Sequence, residues 1–310
     1  MTTRYINMQG ENIQQAAAAA PARTAPKPAG KTEPRRRRKV KKRRHPFRTL
    51  LLLAVLAAAA WYGWGLLDGM RVEADWAARG ITVQEGTASA IAGLARQDSR
   101  AQAILDNPEA YPADYLDMLS RNSETLDFVL GYPEHHSDAP AGSLTESLDT
   151  VPLLMQWDMR WGYQTYGSST IAVSGCAPVC LSMAASYLTG DASITPYRVA
   201  QYAANAGYYV PGQGTSWSLL TEGAAAFGVN CRQLALDEAQ INAALDAGHP
   251  VICSMSPGDF TTEGHFIVLY GRTADGYLVR DPNSIARSEK MWTYDRLSGQ
   301  IAALWECTAM

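Results

Sequence analysis

The sequence predicts an α+β domain, with helices packed on an antiparallel sheet, carried behind a basic tail, one membrane span and a helical stalk. Three observations lead there. Charge is split: up to Arg48 the chain has fourteen Lys+Arg against two Asp+Glu, and the acidic remainder cancels this to a formal net charge of -3. An uncharged run of 19 residues, Thr49 to Leu67, stands at the junction. Beyond Val151, apolar runs of strand length alternate with helical patterns that end in glycine. A composition with 47% hydrophobic residues excludes wholesale disorder, and five cysteines in 310 residues are too few for a disulfide scaffold. The acidic bulk excludes a uniformly basic nucleic-acid binder.

Residues 1–48 read as a disordered cytoplasmic tail. Ala16 to Ala20 and the prolines after it supply too little apolar surface to offset the entropy of ordering. The cationic block Arg35 to Arg44 precedes the apolar run, as a positive-inside topology signal does, and it suits anionic lipid headgroups. No aromatic residues interleave with it, so specific nucleic-acid binding is not expected. Residues 49–67 are long enough to cross a bilayer as a helix. Trp61, Tyr62 and Trp64 near its end resemble an interfacial aromatic belt. A cleaved signal peptide is the competing reading, with Ala58 and Ala60 as a small-x-small site. Either reading exports the chain beyond Leu67, and the retained anchor, the reading adopted, gives a single-pass membrane protein with a cytoplasmic N-terminus and an extracellular domain.

Residues 68–133 read as a helical stalk that lifts the main domain off the membrane or packs on it. Helical spacing runs from Thr87 to Leu105 through Ile91, Leu94 and Ile104, and Asn107-Pro108 stops it. A second helix is expected over Ala113 to Leu119. A third starts at Ser123 and ends at Gly131-Tyr132-Pro133. Residues 134–150 are polar and read as a linker, in which His135 and His136 are solvated loop residues.

Residues 151–310 carry the chemistry. Gly175-Cys176-Ala177-Pro178 opens a helix that Gly190 closes, and Pro178 fits the first turn. Cys176 thus lies at a helix N-terminus, where unpaired N–H groups and the dipole favour a thiolate. Cys180, one turn further in, reads as a small buried hydrophobe. Pro250 to Ser256, His265 to Gly271 and Gly276 to Arg280 read as strands. If the last two pair antiparallel, His265 and Asp281 fall at the same end of the pair, as an imidazole and its orienting carboxylate require. Zinc held by Cys176, Cys180 and His265 lacks a second compact ligand pair, so neither metal nor cofactor is expected. Trp217, Leu219 and Leu220 read as a buried helix capped by Thr215 or Ser216, with Trp217 also able to floor a substrate groove. Leu236 to Ala247 reads as an amphipathic helix. Cys231, Cys253 and Cys307 are candidates for structural pairing, with buried free thiols an equal alternative.

Gln156-Trp157-Asp158, Trp161-Gly162, Gly175-Cys176-x-Pro178, Gly264-His265-Phe266-Ile267-Val268-Leu269 and Asp281-Pro282-Asn283-Ser284 appear in this order. By these motifs the chain from Val151 to Trp305 resembles the papain-like cysteine peptidases, in the branch related to the double-glycine leader peptidases (peptidase C39-like). The resemblance implies the papain-like fold. It also implies Cys176 as nucleophile, His265 as general base, Asp281 as its orienter, and an upstream glutamine in the oxyanion hole. Gln156 matches that glutamine by its place in the QWD segment, and Gln164 competes with it. Where the branch usually has glycine after the nucleophile, this chain has Ala177. No Walker pattern or multi-span region is present, so leader processing is not implied. The expected activity is hydrolysis of peptide or amide bonds in a peptide, a protein or a peptidoglycan stem peptide. The alternative is a non-enzymatic peptide- or wall-binding module on the same fold.

Overall fold

A computed structural model describes residues 46–310, and the expectations for the tail ahead of residue 46 lie outside that range. Helix α1 runs Pro46–Ala78, so the helix expected to end at Leu67 continues for three more turns. Nothing between Asp68 and Ala78 breaks it. It stops at Gly80, which takes a left-handed φ of 78°. There the N–H of Ile81 donates to Trp76 O and that of Gly80 to Ala77 O, which satisfies the carbonyls of the last turn. The large side chains of the apolar run are exposed, whereas Trp76, near the C-terminal end, is 1% exposed.

Four short helices come next: α2 (Thr87–Ala95), α3 (Gln102–Asp106), α4 (Ala113–Arg121) and α5 (Leu126–His135). The single helix expected from Thr87 to Leu105 is broken. The Asp98 carboxylate accepts the N–H of Arg100 and caps a separate 3-10 turn, Ser99–Ala101. Pro133 does not end α5, which runs past it to His135. One missing N–H so near a helix end is tolerated, and the Tyr132 ring stacks on His136 at 4.6 Å to hold the last turn. Ile91, Ile104, Leu116, Leu119 and Phe128 form the core of this layer, and Val72 and Trp76 of α1 pack into it. Close packing joins the layer to the C-terminal region. Tyr163 stacks on Phe128 at 4.3 Å and donates its hydroxyl to the Phe128 carbonyl at 2.6 Å. A Cβ on Gly162 would meet that phenyl ring at 2.6 Å, so glycine is required there. The segment 136–150 is irregular and laid along the domain. Leu144 is buried, and its N–H donates to Ala192 O at 2.8 Å.

The remaining elements are β1 (Thr165–Tyr166), β2 (Ser169–Thr170), α6 (Ile171–Ser174), α7 (Cys176–Thr189), α8 (Pro196–Asn205), β3 (Tyr209–Val210), β4 (Gly214–Thr215), α9 (Ser218–Thr221), β5 (Val229–Leu234), α10 (Glu238–Asp246), β6 (Val251–Met255), β7 (His265–Thr273), β8 (Gly276–Arg280), α11 (Ile285–Ser288), β9 (Met291–Trp292), α12 (Tyr294–Ser298) and β10 (Ile301–Ala309). A six-stranded sheet in the order β5-β10-β6-β7-β8-β9 is antiparallel throughout. One face, with Ile252, Phe266, Val268 and Trp305, packs under α7 and α8. The other face, with Val251, Cys253, Ile267 and Leu269, is closed by Ile241 and Leu245 of α10. Helix α7 is apolar nearly all round because it is sandwiched, and Val179 through Ser186 are all buried. The helix expected around Trp217 is only one turn, α9, followed by a 3-10 stretch, Gly223–Phe227. Cys231 and Cys307 face each other across β5 and β10 and form a disulfide, which leaves Cys176, Cys180 and Cys253 free.

Candidate active site

Gly175 and Cys176 meet at a tight corner between α6 and α7. A Cβ on Gly175 would lie 2.5 Å from the Ile171 carbonyl oxygen, so a larger residue would push the two helices apart. Cys176 is the first residue of the 14-residue α7, and Pro178 occupies its first turn. The backbone N–H groups of Cys176 and Ala177 therefore have no acceptor within the helix and point out of its positive end. The sulfur is half-buried and unpaired.

His265 opens β7 opposite Met255 of β6 and is 7% exposed. Asp281 comes directly after the last residue of β8 and is fully buried. The β7–β8 hairpin sets their meeting: Val268 pairs with Arg280, which brings the residue after Arg280 toward the His265 end. The imidazole Nε2 and Asp281 Oδ1 are 2.8 Å apart. Cys176 lies close enough for its charge to act on the ring. Burial alone would depress the His265 imidazole. The charge and hydrogen bond of Asp281, with the hydrogen bond and charge of Cys176, outweigh it and raise the group to about 10. Burial alone would raise Asp281, but His265 and Arg287 together hold its carboxyl below the usual range. The arrangement can keep an imidazolium against a buried carboxylate at neutral pH.

Gln156 is buried, and its Nε2 donates to Ala172 O at 2.6 Å, on the helix just ahead of Cys176. One amide hydrogen remains for another acceptor, and Oε1 is buried without a partner. The Gln156 backbone N–H donates to Pro282 O at 2.7 Å, which ties the segment to the Asp281 turn. Gln164 Nε2 donates to Asp138 O at 3.1 Å. Cys180 lies in the core, where burial, then the charge of Cys176, pushes its thiol well up. Burial likewise pushes Cys253 up. Among the described residues no group of three His, Cys, Asp or Glu is placed to hold a metal ion. His135 is exposed and pairs with Asp138.

Trp217 is 46% exposed, yet its ring is fixed. Its Nε1 donates to Ser254 Oγ at 3.2 Å, and the ring stands edge-on to Trp305 at 5.4 Å. Ser254 pairs with Phe266, the residue after His265. Reading the sequence missed Arg287, whose Nε donates to Asp281 Oδ2. It also missed Glu124, which accepts from Ser284 Oγ and from the N–H groups of Ile285 and Ala286. The sole local signal was Ser284, which caps α11 by accepting the Arg287 N–H.

The model of the Peptidase_C39 like family matches residues 148–309, just over half of the chain. The chain belongs to that family. The C39-like region holds Cys176, His265 and Asp281 together with the whole six-stranded sheet, and the α+β fold is that of a peptidase-type domain. Among solved structures it is similar to the peptidase domain of Streptococcus ComA, described as a bi-functional ABC transporter involved in a quorum sensing pathway. The identity is 18%, covering 44% of this chain and 93% of that one, with a TM-score of 0.36. No curated protein matches.

Proposed function

We propose that the chain is a membrane-anchored thiol hydrolase that cleaves peptide or amide bonds outside the cytoplasm. The observation that supports this reading is the buried pair of His265 Nε2 and Asp281 Oδ1, 2.8 Å apart, with Cys176 at the start of α7 close enough to act on the imidazole. The Cys176 thiolate adds to the substrate carbonyl carbon, and the carbonyl π electrons move to oxygen. The N–H groups at the start of α7 and the free amide hydrogen of Gln156 receive that oxyanion. As the C–N bond breaks, the His265 imidazolium gives its proton to the leaving amine. The neutral imidazole then takes a proton from water, whose oxygen attacks the thioester, and the thiolate leaves. Asp281 fixes the ring and balances its charge.

Incubating the purified full chain with an iodoacetamide probe, an unfolded protein, a peptide library and cell-wall sacculi tests the reading. Selective labelling of Cys176 together with amide cleavage is expected. Binding without cleavage and an unreactive Cys176 would favour the non-enzymatic module. Gln156→Ala is expected to lower turnover by roughly 10²–10³, as loss of an oxyanion donor does. Labelling of Cys176 should stay nearly intact, and equal loss of both would place Gln156 in the fold rather than in the chemistry.

Anchoring and placement rest on three features: the uncharged exposed length of α1, the cations ahead of it, and the Cys231–Cys307 disulfide, a bond that persists in oxidising compartments. External protease on intact cells is expected to remove the region from Val151 onward and spare the basic tail. A fully protected domain would overturn the orientation.

A further inference from the structure

Asp281 uses both carboxylate oxygens inside a site with no exposure to water. Oδ1 faces His265 and also accepts the Asn283 N–H at 2.8 Å. Oδ2 takes Arg287 Nε at 2.5 Å. Arg287 is held in place from two sides. Its backbone N–H donates to Ser284 Oγ, which in turn donates to Glu124 Oε1 at 3.0 Å. Its guanidinium lies 6.0 Å from the Phe260 ring centre. The Asp281 N–H donates to Ser288 Oγ, and the Asn122 side-chain amide donates to Asn283 O. The whole 281–288 segment is therefore gripped by the helical layer.

We propose that Arg287 is a positioning residue that sets the pH range over which Cys176 and His265 work as an ion pair, by sharing the charge of Asp281. This rests on the reading of Cys176, His265 and Asp281 as the reacting set. A carboxylate that belonged to His265 alone would hold the imidazolium proton more tightly and would face the thiolate with uncancelled negative charge. With Arg287 on Oδ2, the four groups sum to zero: thiolate, imidazolium, carboxylate and guanidinium. The other titratable groups nearby are Cys180 one turn into α7, Tyr166 of β1 beside Cys176, and Glu124 at the far end of the 284–286 turn. Cys180 and Tyr166 are raised mainly by burial, so they stay neutral and cannot replace the lost cation.

Charge alone sets the direction of the shift. Removing the guanidinium takes a positive charge from the thiolate and from the imidazolium alike. Thiolate formation then needs higher pH, and with less repulsion and a stronger carboxylate His265 keeps its proton to higher pH. Both limbs of the profile move in the alkaline direction.

The test is the rate of Cys176 alkylation by iodoacetamide and the rate of hydrolysis, each against pH, in the full chain. In R287Q the acid limb of alkylation and the alkaline limb of hydrolysis are expected to rise by about one pH unit, the scale of one charge acting across a partly screened site. R287K should return both limbs most of the way to their wild-type positions. R296Q, which removes a surface cation paired with Asp259, should leave both limbs in place. R287M keeps the aliphatic stem without the charge and serves should R287Q lose the fold, with the same shift of both limbs expected. Lower rates with unmoved limbs would make Arg287 merely structural and overturn the proposal alone. A wild-type Cys176 that alkylates no faster than a free thiol would overturn both this proposal and the reading beneath it.

Discussion

Replacing Cys176 by alanine is expected to bring hydrolysis down to background, a loss on the order of 10⁶ in turnover by comparison with other nucleophile removals. The expectation is steep because nothing can stand in. Cys180 is buried in the core one turn away and Cys253 is buried in β6, and burial keeps both as neutral thiols. Cys176→Ser should be nearly as inactive, since a hydroxyl is not ionised by a setting that suffices for a thiol. His265→Ala removes the proton donor and the cation beside the sulfur, so both hydrolysis and labelling at neutral pH should fall. Asp281→Ala should leave more residual activity than either, because it orients the ring and touches no substrate. Hydrolysis by the wild type should decline on the alkaline side as His265, raised to about 10, gives up its proton. The assignment fails if Cys180→Ala abolishes hydrolysis in a folded chain while Cys176→Ala does not.

The second large effect concerns stability. The Cys231–Cys307 bond closes a loop of sequence separation 76, for which chain entropy gives roughly 4 kcal/mol. It joins β10 to β5, and β5 is the edge of the sheet, held on one side only. A Cys231→Ser, Cys307→Ser double variant is expected to lower the urea midpoint by the equivalent of that energy, most of it through a less restricted unfolded chain. Reducing agent should do the same to the wild type after unfolding, but act slowly on the native protein, because both sulfurs are buried. Coincident urea curves for oxidised and reduced protein would show that the bond contributes nothing.

Much of the fold was readable where local pattern and tertiary packing agree. The strands expected over Pro250–Ser256, His265–Gly271 and Gly276–Arg280 are observed as Val251–Met255, His265–Thr273 and Gly276–Arg280. Helix α7 begins at Cys176 and stops at Gly190 because a proline in the first turn and a left-handed glycine after the last are local instructions. The proximity of His265 and Asp281 came from one hairpin. What escaped was non-local or competitive. Three cysteines could pair in several ways, and only the register of β5 on β10 sets 231 against 307. Glu124 reaches the 284–286 turn across some 160 residues, a contact without a periodic signature. Asp98 competes locally for a backbone N–H and breaks a helix whose apolar spacing runs on unbroken. Arg287 joins Asp281 across a helix of a single turn, too short to announce itself.

Helix α1 runs without a break from its apolar length to Ala78. Its last turns are fastened by the Asp68–Arg96 ion pair at 3.0 Å, by Glu73 accepting the Ser89 N–H, and by the buried Trp76. About eleven residues separate Leu67 from the helix end, roughly 16 Å of rigid post. A domain on a slack tether would sweep a hemisphere, whereas one on a post this short, were the span in a membrane, would patrol a thin layer against the bilayer. With the span in a membrane, a domain acting as the proposed hydrolase would meet dissolved peptides only at their bulk concentration. It would meet membrane-held or newly emerging chains at a much higher local one. Lateral diffusion, more than affinity, would then govern which bonds it cuts.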